Sequence, residues 1–177
     1  MYESYAIECI SPRTVDRAYP LAKAVAPSLQ QLEWRQFCQA CGLSNIPCDA
    51  DERERIVVAL NAKAYVKGLC IYAVRHDPTE GRVLDVPFFV IGSAADRMGV
   101  GAALMNFLRS KCSRSACLGI RFWAMNAETW TSRLRGENIA CRDHGLFIPA
   151  LASETEIEKA LCASAIEGAE TIDRFSR

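Results

Sequence analysis

The order of hydrophobic and polar positions predicts short strands alternating with amphipathic helices. Runs rich in Val, Ile, Phe and Tyr, bounded by polar or turn-forming residues, are typical of strands. The predicted strands lie at Glu3–Ile10, Arg55–Leu60, Tyr65–Val74, Arg82–Ile91, Leu118–Met125 and Gly145–Pro149. Because only short turns separate the second, third and fourth strands, these three are expected to form an antiparallel meander.

Other segments place apolar residues three and four positions apart, as helices do. One helix is expected after Ser11-Pro12, with a kink or a break at Pro20, and a second from Ser28 to a stop at Gly42. A third helix begins at the glycines Gly99 and Gly101. The remaining predicted helices are a short one at Thr129–Leu134 and a C-terminal one at about 153–167.

The stretch Val83–Leu108 joins a strand, a short link and the third helix. Pro87 lies inside that strand, and because proline has no N–H for the ladder it marks an edge or a bulge. A bulge would separate the strand from a neighbour and open a slot. A helix carries the chain on to Leu118–Met125, so those two strands should run parallel. The predicted fold class is therefore α/β (α+β), with a mixed, mostly antiparallel sheet flanked by helices, in one domain over 1–177.

The composition argues against several classes of function. Lys+Arg and Asp+Glu number 21 each, so no basic excess argues for a nucleic-acid partner. No apolar run reaches the roughly 20 residues of a membrane span, and the N-terminus lacks the pattern of a signal peptide. The nine cysteines are an odd number, and several lie in apolar runs. They are expected to be free, packed thiols, and the protein is predicted to be cytoplasmic.

One group of cysteines deserves a test as a metal site. Cys38, Cys41 and Cys48 have the spacing C-x2-C-x6-C, and zinc takes cysteine ligands at short spacings. No fourth Cys or His follows closely, and Cys38 and Cys41 fall on an apolar helical stripe. No metal is therefore expected.

The glycines at the start of the third helix suggest a phosphate site. The first N–H groups of a helix have no partner within the helix, and its dipole is positive at that end. Gly99-Val100-Gly101 alone is a weak motif, since a tight turn without a ligand explains it equally well. A Rossmann motif needs a third glycine where Leu104 stands, and a Walker loop needs G-x4-G-K-[ST], which is absent.

A third interpretation fits better. A bulged strand, then [QR]-x-x-G-x-[GA], then a helix resembles the GNAT superfamily of acetyl-CoA-dependent N-acetyltransferases. Aligned on the glycines, this chain gives Asp96-Arg97-Met98-Gly99-Val100-Gly101. The resemblance covers Arg55–Met125 well and the remainder loosely. It implies acetyl-CoA as co-substrate and transfer of an acetyl group to a primary amine of a small molecule or a protein.

The resemblance also implies which residues bind coenzyme A. Its pyrophosphate would lie on backbone N–H groups at the helix start, and its pantetheine amides would pair with the separated strand. Asn126 matches an asparagine that often contacts the cofactor in the family. The predicted cofactor-binding residues are Phe89, Val90, Ile91, Arg97, Met98, Gly99, Val100, Gly101, Ala102 and Asn126.

The catalytic residues are less well defined by the motif. Asp85 falls where one branch of the family carries a glutamate base, and its apolar run would favour proton acceptance by partial desolvation. Asp96 replaces the family's Gln or Arg, and Arg133 stands where a tyrosine acid is common. Ser132, Cys141 and His144 are candidate acids by location only. The alternative is therefore an inactive CoA-binding or protein-interaction module on the same fold, and a homodimer through an edge strand is also possible.

Overall fold

A single six-stranded sheet organises the protein, as seen in a computed structural model that describes residues 4–41, 53–92, 97–123 and 145–150. Its strands are β1 (Ala6–Cys9), β2 (Arg55–Leu60), β3 (Val66–Asp77), β4 (Gly81–Ile91), β5 (Gly119–Trp123) and β6 (Gly145–Pro149). The helices described are α1 (Val15–Val25), α2 (Gln31–Ala40) and α3 (Arg97–Arg114).

The strands lie side by side in chain order, from β1 to β6. Every neighbouring pair is antiparallel except β4 and β5, which are parallel because α3 returns the chain to the same end of the sheet. The predicted mixed, mostly antiparallel sheet, its central meander and its one parallel pair are thus confirmed.

Both faces of the sheet are covered, so the middle parts of the central strands are mostly apolar on both faces rather than alternating. All six residues of β2 are buried. On one face α3 packs through Val100, Leu104 and Leu108. On the other face α1 and α2 pack against β2 and β3, with the fully buried Trp34 donating its indole N–H to the carbonyl of Val15 at 2.8 Å.

Two details of the first helices differ from expectation. Of the kink or break expected at Pro20, the break does not occur: α1 runs from Val15 to Val25 with Pro20 inside it. Its buried positions, Val15, Ala18 and Ala22, hold it against the sheet despite the missing N–H. The second helix begins at Gln31 and not at Ser28, since the carboxylate of Glu33 accepts the N–H of Gln30 at 2.7 Å and so caps the helix there.

Most described cysteines are packed thiols, as expected. Cys38, Cys41, Cys70, Cys112 and Cys117 form no disulfide, and burial raises the pKa of Cys38 and of Cys70 well above the ordinary value. The expectation that all cysteines are free thiols is wrong at Cys9, which is exposed and disulfide-bonded. A thiol can take part in such a bond only where a second thiol reaches it, which spacing along the chain does not reveal.

The described residues contain no group of three or more His, Cys, Asp or Glu side chains that could hold a metal ion. None of the helices in the same ranges is long and apolar enough to cross a membrane. The predicted helices at Thr129–Leu134 and about 153–167 lie outside the described residues.

Candidate active site

Strand β4 carries a bulge at Pro87. Opposite β3, Ile71 pairs with Phe88 and Ala73 pairs with Asp85. The single residue Tyr72 therefore faces two residues, Val86 and Pro87, which is the defining count of a bulge. The bulge expected from the position of the proline is confirmed.

The bulge is where β4 leaves β5. The parallel pairing covers only Val83–Val86 of β4, against Gly119–Phe122 of β5, whereas β4 stays paired with β3 as far as Ile91. Beyond Val86 the β5 side of β4 therefore has no strand partner among the described residues. Phe89 and Phe122 meet edge to face at 5.6 Å between ring centroids and close this opening on the α3 side.

Helix α3 begins over the free end of β4. Because the described helix starts at Arg97, helical geometry gives the N–H groups of Arg97, Met98 and Gly99 no partner among its described residues. The N–H groups of Gly101 and Ala102 instead reach back to the carbonyls of Arg97 and Met98. The two glycines thus lie within the first turns of the helix and not in a loop ahead of it.

Close packing explains where glycine is required. A Cβ atom at Gly99 would stand 2.7 Å from the ring of Tyr5, and one at Gly68 would stand 2.5 Å from a methyl group of Val100. A Cβ at Gly101 would make only an ordinary contact, 3.4 Å from Cδ1 of Ile91. Gly68 and Gly99 thereby let the start of α3 approach the sheet, and Gly101 faces the end of β4.

On the opposite face of the sheet, a polar cluster crosses from β4 to β5 at the bulge. Asp85, the predicted base, is 8% exposed. Its Oδ1 accepts from Nε of Arg121 at 2.9 Å and from the indole N–H of Trp123 at 2.6 Å. The same guanidinium lies 4.9 Å from the ring centroid of Trp123, within the range of a cation–π contact.

Arg121 also reaches the turn between β3 and β4. Its Nη1 donates to Oδ2 of Asp77 at 2.6 Å and lies 3.7 Å from Oε2 of Glu80. Burial lowers the pKa of Arg121, but the hydrogen bonds to Asp85 and Asp77 outweigh it and raise that pKa overall. Hydrogen bonds from the backbone of Thr79 and from Arg121 hold the pKa of Asp77 well below its ordinary value.

The sequence pattern alone singled out neither Arg121 nor Trp123 as a functional residue. A signal was present, since Arg121 is the one charged residue in the apolar run Leu118–Met125. Two positions along the strand, Trp123 shares its face. Charged residues are seldom buried unless they are paired, so an arginine there predicts a carboxylate on the neighbouring strand.

The other predicted residues are distributed as follows. Phe89, Val90 and Ile91 form the end of β4 that pairs with β3 but not with β5, and each is half-buried. Met98 is exposed and Val100 is buried, while the backbone of Arg97, Gly101 and Ala102 forms the start of α3. Outside the described residues lie Asn126, Asp96, Arg133, Ser132, Cys141 and His144.

Comparison by sequence yields nothing: no protein-family model matches the chain, and no curated protein matches it either.

Solved structures do match the fold. AAC(6')-Iy, solved with the bisubstrate analog CoA-S-monomethyl-acetylneamine, is 15% identical with a TM-score of 0.56, over 79% of this chain and 95% of that one. A ribosomal-protein-alanine N-acetyltransferase from Brucella melitensis biovar Abortus 2308 is 16% identical with a TM-score of 0.52, over 80% of this chain and 94% of that one.

A third match is the GCN5-related glucosamine N-acetyltransferase region of a fungal multi-domain GH3 beta-N-acetylglucosaminidase. It is 9% identical with a TM-score of 0.52, over 70% of this chain but only 14% of that one. Together with the bulged β4, its parallel neighbour β5 and the helix that begins over their opening, these likenesses show that the chain has the fold of the GNAT acetyltransferases.

Proposed function

We propose that this protein is an N-acetyltransferase that moves an acetyl group from acetyl-CoA to a primary amine of a small molecule or a protein. The observation that carries the proposal is the opening between β4 and β5. There a strand edge without a strand partner among the described residues and the first N–H groups of a helix lie within one short stretch of chain. That combination suits a ligand with both amides and a pyrophosphate.

In this proposal the pyrophosphate of acetyl-CoA lies at the start of α3. The N–H groups of Arg97, Met98 and Gly99 are the donors, aided by the helix dipole. The pantetheine amides pair with the free edge of Phe89, Val90 and Ile91, as an added strand would. Val100, Gly101 and Ala102 form the helical support behind these donors, and Asn126 remains a predicted contact.

The reaction proceeds by direct transfer. The acceptor ammonium first gives one proton to the carboxylate of Asp85, since a protonated amine has no lone pair. The neutral nitrogen attacks the thioester carbon, the C–N bond forms, the C–S bond breaks, and the electron pair of that bond moves to sulfur. The nitrogen loses its second proton and the sulfur gains one, so one proton is released overall. Holding the two reactants together supplies most of the rate.

The alternative is a module on the same fold that binds CoA or a protein without catalysis. The substitutions at Asp96 and Arg133 favour it, because neither residue supplies what the family motif provides there. A cytoplasmic location and a homodimer also remain proposals. The free thiols described above support the first, whereas the disulfide at Cys9 argues against it.

A thermal-shift titration with acetyl-CoA tests the cofactor. Ligand at about 100 times its Kd should stabilise the fold by about 2.7 kcal/mol, which is a rise in Tm of about 5–10 °C for a protein of this size. Gly101→Glu should abolish the rise, because the new carboxylate would face Ile91 and repel the pyrophosphate. Gly101→Ala is the matched control and should keep it. An unchanged Tm at millimolar acetyl-CoA would overturn the proposal.

Release of free CoA thiol in the presence of a panel of primary amines then separates the enzyme from the inactive module. An acetyltransferase releases CoA with at least one amine and loses about 10²–10⁴-fold in kcat on Asp85→Asn. Binding without release on any amine would favour the module.

A further inference from the structure

Two donors hold Asp85 by one oxygen. Nε of Arg121 and the indole N–H of Trp123 both bond to Oδ1, while Oδ2 has no hydrogen-bond partner within the described ranges. We propose that Arg121 is a positioning residue, assisted by Trp123, which fixes the Asp85 carboxylate so that Oδ2 faces the acceptor amine. This inference rests on the proposed function and adds a residue to it.

The two donors come from one strand face. Arg121 and Trp123 are two positions apart on β5, whereas the intervening Phe122 packs on the α3 side. Asp85 lies directly beside Arg121 in the parallel register. Two bonds from fixed neighbours to the same oxygen restrict rotation of the carboxylate, and the direction of Oδ2 is thereby set.

Arg121 is itself held in place from the other side. Oδ1 of Asp77 accepts hydrogen bonds from the N–H and the hydroxyl of Thr79 and from the N–H of Glu80. Its Oδ2 accepts a hydrogen bond from Nη1 of Arg121. The turn therefore holds the carboxylate of Asp77 in place. Asp77 in turn holds the guanidinium of Arg121, and Arg121 holds the carboxylate of Asp85.

The arrangement needs the shape of arginine as well as its charge. Nε and Nη1 serve different carboxylates, and the side chain of Arg121 is only 17% exposed. Lysine would keep the charge but offers a single nitrogen, so it cannot reproduce the fork. Glutamine would leave Asp77, Glu80 and Asp85 as three carboxylates without their shared cation.

Steady-state kinetics of single variants give the first test. Arg121→Gln should lower kcat by about 10- to 100-fold, the cost of misplacing a reacting group by about 1 Å, with KM for acetyl-CoA changed less than about twofold. Arg121→Lys should fall between it and the wild type, and Trp123→Phe should lose less than Arg121→Gln. The matched control is Arg35→Gln, which removes an exposed ion pair to Asp16 at 2.8 Å and should leave kcat unchanged.

A double-variant cycle gives the second test, since it distinguishes positioning from simple destabilisation. In an Asp85→Asn background, Arg121→Gln should lower kcat by less than about twofold, because its target is already gone. An equal loss in both backgrounds, or an unchanged kcat in Arg121→Gln alone, would overturn the positioning role while leaving the acetyltransferase intact. A wild-type protein that acetylates no amine would overturn both.

Discussion

Gly99 and Gly101 stand two residues apart in the same helix, yet different neighbours act on them. The ring of Tyr5 excludes a side chain at Gly99, whereas Gly101 has room for a methyl group. The sequence motif treats the two glycines alike. Packing alone therefore explains why position 99 is a glycine. A role in ligand binding is inferred instead for Gly101 and for the N–H groups before it.

Gly99→Ala should destabilise the protein by about 1–3 kcal/mol, the usual cost of overpacking. Gly101→Ala should be neutral or stabilising by up to about 1 kcal/mol, because alanine favours a helix. Urea unfolding measures both. Trimming the ring in Gly99→Ala/Tyr5→Leu should recover part of the loss; a double variant no better than the single one would show that Tyr5 is not the obstacle.

Asp77 should make the stability of the folded protein decrease at low pH. Its pKa is lower in the folded protein than in the unfolded chain, so its contribution is present above about pH 4 and is lost as the pH falls toward the folded value. Asp77→Asn should therefore lower Tm by about 1–3 °C at pH 7, since the carboxylate is exposed enough for solvent to screen it.

The difference in Tm between wild type and Asp77→Asn should shrink below about pH 4, and thermal melts from pH 7 to pH 3 measure it. A difference that stays constant over that range would mean that the charge of Asp77 is not involved.

At the scale of elements, the bulge in β4 sets which side chains face each helix. Phe88 lies in the core under α1 and α2, whereas Phe89 and Ile91 pack on the α3 side. The extra residue at Val86–Pro87 makes this assignment possible. If Val86 and Pro87 were each paired with a residue of β3, every side chain beyond them would turn to the opposite face.

Deleting Pro87 should remove the bulge yet keep Phe88 and Phe89 in their cores, because Phe88 would then follow Val86 in regular alternation. The deletion variant should therefore fold. Pro87→Ala keeps the extra residue and should also fold, with a loss within about 2 kcal/mol. Circular dichroism and urea unfolding of the two variants provide the measurement. A deletion variant that does not fold would show that the faces beyond Val86 depend on the extra residue itself.

The sequence predicted the elements whose signals are local. Pro87 revealed the bulge and the helix after Gly101 revealed the parallel pair, because each depends on a few adjacent residues. The continuity of α1 through Pro20 depends on its contacts with the sheet, and it was not predicted. The start of α2 at Gln31 was also missed, although its signal, Glu33 three residues after Gln30, is local. Arg121 was not predicted because its role depends on contacts between strands: its partners Asp77 and Asp85 lie on β3 and β4.

At the scale of the whole molecule, one sheet separates two hydrophobic cores. Trp34 is central to one and Leu104 to the other, and both are fully buried. Strands β2, β3 and β4 contribute side chains to both cores. Loss of packing on either face is therefore transmitted through the shared strands.

Trp34→Ala should cost about 3–5 kcal/mol and Leu104→Ala about 2–5 kcal/mol. Since the cores share strands, each variant should still unfold in one transition, with coincident far-ultraviolet circular dichroism and tryptophan fluorescence. Separate transitions in either variant would show that the two faces unfold independently.

The strand order has a consequence for how the chain folds. Strands β2, β3 and β4 are joined by short turns, so their contacts are close in sequence. The contact between β4 and β5 must instead wait for the whole of α3, and contacts between distant residues form more slowly. The opening proposed for acetyl-CoA lies between these two strands, whose pairing forms late in folding. In hydrogen exchange, bound acetyl-CoA should therefore protect the amides of β5 more than those of β2.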